Sequence, residues 1–538
     1  MVDLDLGAHG DDVVDASPAR DAILSQGAGS GTTDGNREWR LALVVVVASG
    51  VVRLFIAALT PVFPDETYYW EWSRRLAAGY YDHPPMIAWL IKFGALAAGD
   101  TALGVRLGAV LAGVAATFFT AAAARRLAGD RAALIAAMVL AVMPLSAAGL
   151  ILATPDAPLL AAAAATVYAL VRVFEFPPRS RKSTRWWSVA GFALGLAFCS
   201  KITAVLLPLA VFVALVSRPA LRERLKEPGP YLATIIAVVV FLPVIVWNAR
   251  HGWITLAFQL QHGLAGTSGS MLKRELDLLG GQIGLVSPIL FALCVVAVAQ
   301  SVRATPPVSP RHALFAVVAA LLFAFFVYSA TRRRVEANWP ALAYIPAVLL
   351  LASYARSRSW DRWLRAGVVL GGALTVVTYV NAFVPILPVP ARRDPAARAA
   401  GWNDLASAVE RIHAARRPLS SYRTHVAADR YQEASALAFL LPEHPETYSL
   451  NLSGRANQYD LWPSFQQRAH PGDALILVLD DATGVHPTAQ MLAPHFATLV
   501  EGPLVPLARN GDVVKNMRIW LLGQWRGTWP QAALRSRP

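Results

Sequence analysis

Cysteine is nearly missing from this chain: 538 residues contain two, Cys199 and Cys294, each inside an apolar run. That excludes a disulfide-stapled secreted scaffold and a cysteine-rich metal site. Charge is also scarce, at 16% of residues, where soluble domains carry about 25%. Long polar stretches are missing between Trp39 and Val384, where apolar runs of about 20 residues recur, the length that crosses a bilayer. A cytosolic enzyme and a collagen-like fibre are excluded on the same grounds. The net charge of +14 does not indicate nucleic acid, because most basic residues sit in short connections between apolar runs, as in an oriented membrane protein.

The runs predict about eleven spans, near 40–60, 106–124, 132–151, 156–173, 187–199, 202–217, 231–248, 278–300, 312–329, 338–353 and 366–384. The stretch 187–217 is too long for one simple span and is interrupted by Ser200-Lys201. Two short helices meeting near the membrane surface account for it better than one tilted helix. Residues 1–38 are acidic and rich in Gly, Ala and Ser, and are read as a disordered cytoplasmic tail rather than a signal peptide. With that tail in the cytoplasm, Lys and Arg concentrate in the cytoplasmic connections, such as Arg179–Arg185 and Arg218–Lys226. The bias supports a cytoplasmic N-terminus and an outer C-terminal region.

Charges without a topological reason then all fall on the outer face: Asp65-Glu66, Asp82-His83, Asp156, Lys201, His262 and Arg332-Arg333-Arg334 with Glu336. Ionisable groups at a membrane edge are costly and usually functional. The first outer segment, 61–100, carries Pro64-Asp65-Glu66-Thr67-Tyr68-Tyr69-Trp70 and later Tyr80-Tyr81-Asp82-His83-Pro84-Pro85. Its aromatics suit interfacial helices, and proline followed by two acids suits a helix start. Each acid read singly also fits a cap, and Asp156 would serve as an internal anion for Lys201. Neither His251 nor His262 has a ligand partner at close spacing, so a zinc site is weakly supported.

These segments, together with Val105-Arg106-Leu107-Gly108, Pro155-Asp156, Ser200-Lys201 and Glu336-Ala337-Asn338-Trp339-Pro340-Ala341, resemble the bacterial GT-C glycosyltransferases, relatives of protein mannosyltransferases and of the lipid A aminoarabinose transferase. The resemblance covers residues 40 to about 355 and implies a polytopic α-helical GT-C membrane domain, 39–384. It further implies a polyprenyl-phosphate-linked sugar donor and a site facing the periplasm of a bacterial inner membrane. Asp65 matches the first-loop acid and Glu66 accompanies it. Asp82-His83-Pro84 stands where the aminoarabinose transferases have Glu-Lys-Pro. Lys201 and Asp156 match polar positions near the donor. Arg332–Glu336 falls where those enzymes have a Lys-Gly-Lys loop, and His262 lies near a donor-phosphate histidine.

Sugar transfer from a lipid phosphate needs a base for the acceptor hydroxyl and cations for the leaving phosphate. Asp65, Glu66 and Asp156 are the expected catalytic carboxylates; Lys201, His262, Arg332, Arg333 and Arg334 are the expected phosphate ligands. Asp82, His83, Tyr68, Tyr69 and Glu336 are expected to bind or orient the acceptor. The scheme requires no cofactor and leaves a divalent metal open; its partners are the donor lipid and a lipid A, lipopolysaccharide or other glycolipid acceptor. One displacement inverts the anomeric centre, and a retaining route would need a second carboxylate. A protein acceptor, a polytopic transporter and a non-catalytic lipid binder are the competing readings; one-sided charges and the lack of a visible repeat weigh against the transporter.

Beyond a proline-rich link, 385–390, residues 385–538 predict a small soluble periplasmic α/β domain. Trp402–Ala415 and Asp429–Leu440 read as helices, Ala474–Leu479 as a strand and Val513–Leu522 as a weaker one. Asn457–Pro463 reads as an exposed turn, with an acceptor-lining role as the alternative.

Overall fold

Proline placement decides which apolar runs become continuous helices. Pro144 splits the run 132–151 into Asp130–Val142 and a short Pro144–Gly149 turn of helix, because proline supplies no backbone N–H to the preceding turn. Ser287-Pro288 likewise breaks the run 278–300 into two helices at 107°, and a second pair around Pro219 bends by 112°. The computed structural model describes residues 32–264, 270–304, 309–355, 358–416, 422–452, 455–481 and 486–530. Its principal helices are α1 (Thr32–Leu59), α2 (Pro64–Arg74), α3 (Met86–Ala98), α4 (Ala102–Ala128), α5 (Asp130–Val142), α6 (Asp156–Val173), α7 (Arg181–Ser200), α8 (Leu206–Ser217) and α9 (Gly229–Arg250). They continue as α10 (Ile254–Leu264), α11 (Met271–Val286), α12 (Pro288–Arg303), α13 (Pro310–Arg332), α14 (Ala341–Tyr354), α15 (Arg358–Phe383), α16 (Trp402–Arg416) and α17 (Tyr431–Leu440).

Among the described residues six helices are long and apolar enough to cross a membrane, or up to eight if each bent pair is one span, rather than the expected eleven. The shortfall has identifiable causes. The runs at 132–151 and 278–300 are broken, α14 has only 14 residues, and α7 begins in a charged turn, Arg181–Arg185. Every residue of α14 from Ala341 to Ala352 is buried. A helix apolar on all sides forms the interior of the bundle, where α4, α5, α6, α12 and α13 pack around it. The expected break at Lys201 is present: α7 stops at Ser200, Lys201 is extended, and a 3-10 turn leads into α8. Residues 32–38, assigned to the tail, are helical; the rest of that tail lies outside the described residues.

The segment 61–100 forms α2 and α3, neither long enough to span, as its composition predicts. The C-terminal region forms a five-stranded sheet of β1 (Thr424–Ala428), β2 (Thr447–Ser449), β3 (Ala474–Asp480), β4 (Phe496–Arg509) and β5 (Asp512–Trp525) in the order β2-β1-β3-β5-β4. The β1 pairings are parallel and those of β5 antiparallel. Asn510 and Gly511 join β4 to β5 with φ of 50° and 90°, the double left-handed geometry of a tight hairpin turn. β4 is an unexpected strand, although Asn-Gly between two apolar stretches signals a hairpin.

This domain does not hang from a linker. One apolar core runs from Tyr68, Trp70, Trp72 and Tyr80 of the segment 61–100 into Leu405, Val426, Leu437, Tyr459 and Ile476 of the C-terminal domain. α17 lies along α2, where the Thr67 and Ser435 hydroxyls meet at 3.0 Å and the Trp70 ring stands edge-on to Phe439 at 5.0 Å. Trp70 also donates to Asp100 at 2.6 Å. Truncation of so large a buried aromatic costs about 3–5 kcal/mol. Trp70→Ala is therefore expected to lower the thermal unfolding midpoint in detergent by several degrees and to expose the C-terminal domain to trypsin; unchanged protease resistance would mean that the domain holds its position without this core.

Candidate active site

The start of α2 is fixed from beneath. Glu66 is buried, and its Oε1 accepts from Arg106 Nε at 2.8 Å and from the Ala153 amide at 2.8 Å. Its Oε2 accepts from Arg106 Nη2 at 2.5 Å and from the Phe63 amide at 2.9 Å. Arg106, also buried, donates its remaining N–H groups to the Ala57, Thr60 and Pro61 carbonyls and the Thr60 hydroxyl. In Glu66, expected as a catalytic carboxylate, four donors thus occupy the two oxygens.

Asp65, one residue earlier, faces a cavity of about 1000 Å³ that lies between the membrane helices and the C-terminal domain. Surrounding protein raises the Asp65 pKa, an effect moderated by Arg398, by a hydrogen bond from Gln432 and by Arg455. Asp82, Asp156, Lys201, His83, Tyr68, Tyr69, Arg334 and Glu336 line the same cavity. Burial first, and then the charges of Asp65, Asp82 and Asp156, push the Tyr69 hydroxyl well above its usual pKa.

Lys201 donates to Asp156 Oδ1 at 2.7 Å, and Asn338 Nδ2 donates to Asp156 Oδ2 at 2.9 Å. Asp156 is therefore the internal partner of the lysine, and Asn338, part of the quoted Glu336–Ala341 motif, completes the set. Of the three successive arginines only Arg334 reaches the cavity, with Glu336 at 3.6 Å. Arg332 folds back on Tyr328, and Arg333 lies over Trp339 and donates to the Gln261 carbonyl. Neither belongs to the cavity wall: Arg332 is the last residue of α13, and the chain turns extended only at Arg333. The His262 side chain lies outside the described residues. His83 approaches Gln259 at 3.3 Å.

Asp82 is buried at the seam between domains. Its Oδ2 accepts from the Tyr68 hydroxyl at 2.6 Å and its Oδ1 from Arg455 at 2.9 Å. The Gln458 amide donates to Tyr68 at 2.7 Å, and the Gln458 side chain accepts from the Tyr81 amide at 2.7 Å. Asn457–Pro463 is accordingly not an exposed turn: Asn457, Gln458 and Tyr459 are buried where the domain docks. Arg398, Tyr431, Gln432, Arg455 and Lys515 also line the cavity and were not singled out from sequence, since nothing local marks a soluble-domain arginine as part of a membrane site. Among the described residues no group of three or more His, Cys, Asp or Glu is arranged to hold a metal ion.

Burial, opposed by Arg455 and the Tyr68 hydroxyl, raises the Asp82 pKa from 3.8 to about 6. A carboxyl with a raised folded-state pKa stabilises below its unfolded pKa, and that contribution is lost as pH climbs through the folded value. The stability of the wild type relative to Asp82→Asn is thus expected to fall by about 2 kcal/mol between pH 4 and pH 7. Parallel unfolding curves across that range would show instead that Asp82 titrates normally.

The family described as dolichyl-phosphate-mannose-protein mannosyltransferase matches residues 82–247. The lipid A galacturonosyltransferase RgtD of Rhizobium johnstonii is 28% identical over 319 residues, which are 59% of this chain. The match spans 65% of that protein, just under two thirds of its length. Crystal structures of ArnT from Cupriavidus metallidurans, in the apo state and bound to undecaprenyl phosphate, superpose with a TM-score of 0.61 at 18% identity, covering 89% of this chain and 97% of ArnT. The fold is that of the two ArnT structures, residues 82–247 are similar to the mannosyltransferase family, and the chain is a multi-pass membrane protein.

Proposed function

We propose that this protein transfers a monosaccharide from a polyprenyl-phosphate carrier to an envelope glycolipid, with lipid A or lipopolysaccharide core as the acceptor, at the periplasmic face of a bacterial inner membrane. The observation that carries this reading is the single cavity shared by Asp65, the Asp156–Lys201–Asn338 set and Arg334. ArnT crystallised with undecaprenyl phosphate and RgtD named for lipid A support the carrier and acceptor classes.

In this mechanism Asp65 accepts the proton of the acceptor hydroxyl as its oxygen attacks C1 of the sugar. The C1–O bond to phosphate breaks, and the lipid phosphodiester leaves as a monoester carrying one more negative charge. Lys201 and Arg334 meet that charge as it develops, Lys201 held in place by Asp156 and Asn338. Glu66 and Arg106 keep Asp65 in position, and Tyr69 and Asp82 shape the space in which the sugar ring must lie. One displacement inverts the anomeric centre, and no step calls on a metal ion.

Asp65→Asn is expected to reduce transfer at least about 100-fold, the range attributed to a general base, while retaining binding of the donor lipid. Unimpaired transfer ends the base assignment, and a chain that binds donor lipid but never releases sugar, wild type included, is a lipid carrier. The orientation is tested separately. Cys199 and Cys294 are buried, which keeps background labelling low. A membrane-impermeant maleimide is expected to label Arg393→Cys in intact spheroplasts and Arg185→Cys only after permeabilisation; the reverse pattern places the site in the cytoplasm.

A further inference from the structure

Five described Lys and Arg side chains line the cavity, and their partners differ. Lys201 pairs with Asp156 at 2.7 Å and Arg455 with Asp82 at 2.9 Å. Lys515 pairs with Glu433 at 2.7 Å and with Asp480 at 3.2 Å. Arg334 is 3.6 Å from Glu336, with both side chains largely exposed. Arg398 makes no salt bridge within 4.0 Å among the described residues, although it acts on Asp65 electrostatically.

The backbone beneath Arg398 is well anchored, although the side chain has no salt-bridge partner among the described residues. It lies on the 3-10 turn Pro395–Ala399, whose first residues are capped by Asp394 accepting from the Ala396 amide at 3.0 Å. Asp394 is buried and also accepts from Asn381, at the end of α15, and from Arg509, at the end of β4. The Arg398 carbonyl accepts from the Trp402 indole at 2.8 Å. The last membrane helix, the sheet and α16 therefore all fix the point from which this guanidinium reaches the cavity.

A donor phosphate is already met by Lys201 and Arg334 in the proposed mechanism, both from the membrane part. Arg398 comes from the C-terminal domain and lines the same cavity as Asp65, on whose carboxyl its charge acts. There the attacking hydroxyl and the sugar carbon must meet, within one sugar ring of each other. A planar, permanently charged fork in that place matches the two oxygens of a carboxylate or phosphate. Resting on the transferase reading, we infer that Arg398 is a specificity residue that binds a second oxyanion, distinct from the donor phosphate and carried either by the transferred sugar as a carboxylate or by the acceptor as a phosphate.

The test uses the full-length protein in nanodiscs with four substrate combinations. The donors are polyprenyl-phosphate-linked galacturonic acid and galactose; the acceptors are lipid A with and without its phosphates. Wild type is expected to prefer the anionic form of one substrate, and Arg398→Gln to lower use of that form about 30-fold, the scale of a charge-assisted contact, leaving its neutral counterpart within about 3-fold. Arg398→Lys, which keeps charge but not the fork, is expected to fall between. Loss confined to the donor pair assigns the carboxylate of the sugar; loss confined to the acceptor pair assigns the acceptor phosphate. Equal loss across all four combinations, or none, overturns the inference while leaving the transferase reading intact. Binding of the same four lipids is measured alongside: if wild type turns over no combination, the transferase reading fails, and an Arg398-dependent preference in binding, or its lack, still decides this inference.

Discussion

Removing Glu66 and Arg106 from water is costly, and the cost is met only because four donors reach the carboxylate and the guanidinium reaches three carbonyls and a hydroxyl besides. Loss of either partner would leave a bare buried charge, a far larger penalty than the pair itself is worth. The network joins the end of α1, the start of α2, α4 and the Ala153 segment before α6. Asp65 is covalently adjacent to this clamp, so its direction into the cavity follows from the geometry of its neighbour. Pro64 and the helix dipole favour acids at this position in general terms; the buried pair turns a preference into a fixed coordinate.

The wall opposite the membrane helices in sequence, though continuous with them in space, comes from the C-terminal domain. It supplies Gln432 to Asp65, Arg455 to Asp82 and the Gln458 amide to Tyr68. Two carboxylates of the segment 61–100 thus draw their electrostatic surroundings from residues more than 300 positions away. Arg455 also lies over the Phe258 ring at 4.7 Å, and Gln259 donates to the Asp82 carbonyl, so α10 closes the same junction. The cavity is walled by many chain segments, from Ile56 of α1 to Lys515 of β5, and is a property of no single helix bundle.

Much of this was legible in the sequence, for reasons that can be traced. Spans such as α1, α9 and α13 declare themselves by length and uniform hydropathy, and α2 and α3 by being too short. The break at Lys201 follows from a charge placed between two apolar stretches. Asp65, Asp82, Asp156 and Lys201 stood out because a membrane edge tolerates few unexplained charges. The same rule misled for Arg332 and Arg333, whose aromatic neighbours Tyr328 and Trp339 already hold them, and it did not separate Glu66 from Asp65. Hydropathy also overcounted spans, since it does not register that Pro144 and Pro288 break a run or that α14 lies wholly inside. Arg398 and Arg455 were invisible because a soluble-domain arginine is unremarkable until its domain is docked.

The hydrogen bond from Gln458 to Tyr68 ties together residues 390 positions apart. A chain emerging from the ribosome makes the segment 61–100 early and its counterpart last, so through most of synthesis Tyr68, Asp82 and the apolar face of α2 stand uncovered at the bilayer surface. Contacts of such long sequence separation form late. Until the C-terminal domain docks, Tyr68 lacks the Gln458 amide, Asp82 lacks Arg455, and the aromatics of α2 lack the apolar partners that cover them in the folded chain.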